Sequence, residues 1–126
     1  MSIAALNALV LTLTEEKSSM EYQRMMIDNR RTVLSSYRSD LYTDRNIAWT
    51  NLLTTKDDDD TSVEAMIDQY FQVEFEEAQA RLDAIDKQLQ MERTNLDTKI
   101  EAVTTSLENV QKQLTKNEES EFKGIQ

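Results

Sequence analysis

The chain has 126 residues, 24 of them acidic and 14 basic, for a net charge of −10, with no cysteine, histidine or proline and a single glycine. Without Cys or His there is no disulfide framework, zinc site, haem ligation or Ser–His and Cys–His catalysis. The shortage of turn residues excludes a many-stranded sandwich or barrel, and the acidic balance disfavours nucleic acid and anionic membrane surfaces as partners.

The most apolar run comes first, IAALNALVLTL at residues 3–13. Eleven residues fall short of the roughly 20 that span a bilayer. No Lys or Arg precedes the run and no small-residue cleavage site follows it, so it reads as a buried or partner-facing helix start rather than a signal peptide.

From there the chain keeps a seven-residue beat. Leu6, Leu13, Met20, Ile27, Leu34, Leu41 and Ala48 form one apolar column, the pattern of a coiled-coil helix. A second column three residues earlier reads Ile3, Val10, Lys17, Arg24, Arg31, Arg38, Arg45 and Leu52. It is expected to flank the apolar stripe, with long stems covering apolar surface and charged heads reaching outward. Tyr22, Met26, Val33, Tyr37, Ile47 and Trp49 are expected to widen the stripe. A helix of about 50 residues would run roughly 75 Å. Trp49, beside Leu52 and Leu53, reads as core at the end of a hairpin.

One break follows. Four adjacent aspartates, Asp57–Asp60, repel one another, form helix poorly and favour a turn. Thr61-Ser62-Val63-Glu64 then has the form of a capping box, and the aspartates face the positive end of the next helix dipole. The run lacks the alternating ligands and the glycine of a calcium loop.

Past the break, Phe71, Phe75, Ala78, Leu82, Ile85 and Leu89 step by fours and threes, and Leu96, Ile100, Val103, Leu107, Val110 and Leu114 resume the pattern. The eleven-residue spacing from Leu89 to Ile100 suggests a stutter, with Glu92 or Arg93 at a skipped core position. Asn117–Gln126 is polar and contains Gly124, so fraying is expected there. Leu13, Ile27, Leu34, Leu41, Leu82, Ile85, Leu89, Val103 and Leu107 are the expected core.

Residues 1–56 hold seven basic and six acidic side chains, and residues 57–126 hold seven and eighteen. A near-neutral helix with a basic column beside an acidic helix suits antiparallel pairing. Exposed ion pairs are worth only about 0–1 kcal/mol, so apolar burial drives the association while charge sets register. The carboxylate pairs Glu74/Glu77 and Glu118/Glu121 lack the histidines of a di-iron site, and a hairpin offers no cleft for carboxylate-pair hydrolysis.

The two ends carry a resemblance. Residues 4–35, with Leu13-Thr14, Lys17, Glu21-Tyr22 and Arg30-Arg31, are similar to the N-terminal pattern of an uncharacterised family of gut-bacterial helical proteins. Residues 76–123, with Asp86-Lys87, Leu96-Asp97-Thr98, Val110-Gln111-Lys112 and Phe122-Lys123, resemble that family's C-terminal pattern. Members are longer, with a variable middle where this chain has its acidic turn. Constant helical ends around a variable middle are similar in layout to flagellin-like axial proteins, whose terminal helices build a tube. The residues leave localisation open, with an extracellular or cell-surface assembly favoured over a cytoplasmic protein.

The expected fold is therefore all-α, a single long antiparallel helical hairpin or coiled coil in an oligomer. It would comprise a helix at 2–55, an acidic turn at 56–61, a helix at 62–118 and a frayed tail at 119–126. The expected function is structural: self-assembly into a filament, tube or bundle. The alternative is a soluble helical adaptor, secretion chaperone or phage scaffolding-type protein. No catalytic, cofactor-binding or metal-binding residue is expected, so the chain does not read as an enzyme. The expected partner is a second copy of the chain, with a secretion or assembly protein as a further possibility. Neither nucleic acid nor a membrane span is expected. Ile3, Leu6, Val10, Leu13, Lys17, Arg24, Arg31, Arg38, Arg45 and Phe122 are the candidate assembly residues.

Overall fold

A computed structural model describes residues 1–55 and 61–125, apart from the side chains of residues 53, 55, 61–63 and 125. Two helices account for nearly all of it: α1, Ile3–Thr55, and α2, Thr61–Ile125. No strand occurs among the described residues. The chain is an all-helical hairpin, as the heptads require. The acidic turn at 57–60 and the Thr61 side chain of the capping box lie outside the described residues.

Neither helix meets a proline, and α1 has a defined start. The Ser2 hydroxyl accepts a hydrogen bond from the Ala5 amide at 3.1 Å, and the Ser2 carbonyl accepts one from the Leu6 amide at 2.9 Å. Ser2 is thus the N-cap. α2 is helical as far as Ile125, through the segment expected to fray, and Gln126 lies outside the described residues. Gly124 has no positive φ and so does not build the left-handed cap that ends many helices. Lys123 in the last turn suits the negative end of the dipole.

The helices form two compact units, one of Met1–Ile27 with Met91–Gln126 and the other of Asp28–Gln90. In the first, the less exposed face of α1 runs through Ile3, Leu6, Val10, Leu13, Lys17, Met20, Arg24 and Ile27, alternating steps of three and four. The corresponding face of α2 runs through Arg93, Leu96, Ile100, Val103, Leu107, Val110, Leu114 and Asn117 with the same steps. Leu6, Ile27, Leu96 and Ile100 are buried, and the Asn117 side-chain amide donates to the Met1 carbonyl at 2.9 Å.

The second unit pairs unlike repeats. Its α1 face keeps the heptad, through Arg31, Leu34, Arg38, Leu41, Arg45 and Ala48. Its α2 face runs through Ile67, Phe71, Phe75, Ala78, Leu82, Asp86 and Leu89, with steps of four, four and three taken twice. That is an eleven-residue repeat, which relaxes the left-handed supercoil. The break in the heptad therefore lies at Phe71–Asp86. The passage from Leu89 through Arg93 and Leu96 to Ile100 is a regular four–three–four, with Arg93 half-buried at the position expected to be skipped.

Most of the expected core is placed correctly. Ile27 and Leu89 are buried, and Leu13, Leu34, Leu41, Leu82, Val103 and Leu107 are half-buried, as a two-helix seam dictates. Ile85 is 48% exposed, because the next residue, Asp86, takes the seam position to meet Arg31. Trp49 is half-buried and stands edge-on to Phe71, ring centroids 6.3 Å apart.

Candidate assembly interface

The basic column does not flank the seam; it is half of it. A coiled coil alternates two columns, and on α1 one is apolar while the other carries Lys17, Arg24, Arg31, Arg38 and Arg45, all half-buried. In the first unit the Arg24 Nη1 lies 3.0 Å from Asp97 Oδ1. The other oxygen of Asp97 accepts from Arg93 Nη1 of its own helix, also at 3.0 Å, so one carboxylate joins a guanidinium from each helix.

The ladder recurs in the second unit. Arg31 Nε donates to Asp86 Oδ1 at 2.9 Å, and Gln90 Nε2 donates to Asp86 Oδ2 at the same distance. Arg38 pairs with Asp83. Arg45 Nη2 donates to Gln72 Oε1 at 3.0 Å, and its guanidinium carbon sits 4.9 Å from the Phe75 ring centroid, within cation–π range. Tyr42 meets the same ring edge-on at 4.9 Å. The Nε atoms of Arg38 and Arg45 are buried without a hydrogen-bond partner, consistent with side chains held for their stems and one donor each. The hydrogen bond from Arg31 is the main reason that the Asp86 carboxyl titrates below its ordinary value of 3.8. Partial desolvation opposes it, and the charges of Arg31 and Arg38 and the Gln90 bond assist it. The Tyr70 phenol, hydrogen-bonded to Glu74, is pushed up instead.

Nine of the ten candidate assembly residues, Ile3 to Arg45, therefore lie on the face that α1 turns toward α2, with Leu6 only 2% exposed. Phe122, on α2, is 64% exposed. Of the apolar residues expected to widen the stripe, Trp49 is half-buried, while Tyr22, Met26, Val33, Tyr37 and Ile47 are exposed and stand outside it, as do Leu11, Met25 and Tyr42. Residue type suggested core, but their heptad positions lie off the seam.

Within residues 1–27, the α1 face opposite the seam carries a single charge, Glu15, among alanines, serines, Thr12 and the exposed Leu11, Tyr22, Met25 and Met26. In the second unit the α1 outer face is again nearly uncharged, with Asp40 among Asn29, Thr32, Val33, Ser36, Thr43 and Ile47. Outer coiled-coil positions ordinarily carry charge. The sequence signal for this surface was a third seven-residue column, Ala4, Leu11, Ser18 and Met25, beside Ala8 and Tyr22.

Concavities are shallow. An apolar groove of about 320 Å³ lies among Leu52, Met66, Ile67, Tyr70 and Phe71. Another, of about 430 Å³, has Phe71 and Phe75 in its wall and Asp44, Glu74, Glu77 and Arg81 among its lining. Among the described residues no three carboxylates converge as a metal site, and no helix is long and apolar enough to cross a membrane. No protein-family model, curated protein or solved structure matches the chain, so the likeness to the gut-bacterial family rests on the quoted end residues alone.

Proposed function

We propose that the chain is a structural subunit that self-assembles through its long helices into a filament, tube or bundle. The observation that carries this reading is the set of large apolar side chains left outside the seam. Leu11, Tyr22, Val33, Tyr37, Ile47, Met66 and Tyr70 are each at least half exposed, while Leu6, Ile27, Leu89, Leu96 and Ile100 are the buried core. A helix pair that leaves this many large apolar side chains in water gains by covering them. The proposal includes no catalysis. Electron microscopy of concentrated purified protein tests it. Regular fibres or tubes support the reading, and a chain that sediments as a monomer at high concentration sinks it.

The adaptor reading has one observation in its favour. The groove at Leu52, Met66, Ile67, Tyr70 and Phe71 is lined by apolar atoms alone, and its size suits one large side chain of a partner helix. Discrete complexes without fibres would select that reading.

A further inference from the structure

Resting on the self-assembly reading, we infer that the outer face of α1 in the first unit is where a second copy of this chain docks, helix against helix. Ala4, Ala8, Leu11, Ser18, Tyr22 and Met25 repeat along it with the same four–three spacing as the intramolecular seam, interrupted only by Glu15. All are exposed, Leu11 at 61% and Tyr22 at 60%. It is a second seam without a partner helix in the chain.

Charge selects the occupant. The molecule carries −10, so two copies repel wherever their acidic surfaces meet. In this unit the outer face of α2 bears Glu101, Glu108, Lys112, Lys116 and Glu119, all exposed, whereas that of α1 bears one carboxylate. The five charges on α2 nearly cancel, so desolvation rather than net repulsion separates the two faces: copies meeting on α1 each bury one carboxylate instead of five charged groups. With Glu15 alone, the α1 face gives little by which to select a basic or acidic foreign partner. Its desolvation is also undemanding. The Thr12 hydroxyl already bonds the Ala8 carbonyl at 3.1 Å, and Ser19 already accepts from Gln23. Thr12 therefore presents its methyl group rather than an unsatisfied donor.

The area sets the strength. A strip about 10 Å wide along roughly 38 Å of helix covers about 400 Å² per copy, half of the ~800 Å² per partner of stable specific interfaces. A single contact of this kind forms and parts with concentration, and it becomes durable when repeated through an array.

The experiment is sedimentation of the full chain over a wide concentration range, for wild type, L11E/Y22E and the control T98E/T105E, which puts the same charge on the α2 outer face. Wild type and control should gain mass together, while L11E/Y22E should need at least tenfold higher concentration. Circular dichroism confirms retained helix, and L11S/Y22S provides a milder variant should the first lose helix. If wild type and L11E/Y22E associate alike, this face is not the contact, although self-assembly stands. If wild type stays monomeric, the self-assembly reading itself falls and a foreign partner takes its place.

Discussion

Leu6 and Leu11 offer a matched pair, the same residue on the same helix, one at the seam and one opposite it. Leu6 is 2% exposed and Leu11 is 61% exposed. Truncating a buried Leu to Ala removes its transfer free energy and leaves a cavity, for a loss of about 2–5 kcal/mol. A seam with only one neighbouring helix can close around the gap, so Leu6→Ala should fall near the lower end, about 2–3 kcal/mol. Leu11→Ala forfeits little burial, and Ala is the better helix former, so its effect should stay below about 0.5 kcal/mol. Urea titrations followed by helical circular dichroism, at protein concentrations low enough to keep the chain dissociated, measure both. Equal losses at the two sites would refute the seam register. Repeating the titrations at high concentration adds a second reading, since Leu11→Ala should become more damaging there if that face is covered by another copy, while the Leu6→Ala loss should not change.

Three further outcomes follow from the ladder and the cap. Because Asp86 has a lowered pKa in the folded chain, its stabilising effect is full above the ordinary carboxylate value and disappears as pH falls through the lowered one. Urea midpoints should therefore fall as the pH is taken down through the ordinary carboxylate value of 3.8, and Asp86→Asn should reduce that drop; an unchanged acid limb would count against the Arg31–Asp86 contact. Arg31→Met alone leaves a half-buried carboxylate short of its cation and should destabilise, whereas Arg31→Met with Asp86→Leu should be at least as stable as wild type. A double variant weaker than wild type would mean the pair is worth more than apolar packing. Ser2→Ala should weaken the start of α1 by about 1 kcal/mol, seen as faster amide exchange at Ala5 and Leu6 with no change at Leu34.

Two helices around one break were legible because heptads are a long-range signal: seven apolar residues at constant spacing outweigh any local ambiguity. What the spacing left hidden was which second column joins the seam. Arginines on a soluble helix read as surface, and it is the groups placed opposite, Asp83, Asp86 and Asp97 and, for Arg45, Gln72 and the Phe75 ring, that make the inward position tolerable. Ile85 was misassigned for the same reason, since its neighbour's charge had a partner and its own side chain did not need one. The outer face of α1 was hard to see because its defining property is missing charge, and Tyr22, Met26 and Val33 in isolation look like core.

The unlike repeats of the second unit leave its stagger to be set elsewhere. Its α1 face is graduated in sevens and its α2 face in elevens. A relative slide of seven residues lays the α1 pattern back on itself, and a slide of eleven does the same for α2, so neither period rejects its own multiples. Arginines and carboxylates recur often enough that a slipped pair would still find opposite charges nearby, so charge alone identifies the stagger poorly. The ring contacts across the pair, Trp49 on Phe71 and Tyr42 on Phe75, follow neither period. They act as keys on an otherwise repetitive rail, and the alignment of the two helices is most sensitive to changes there.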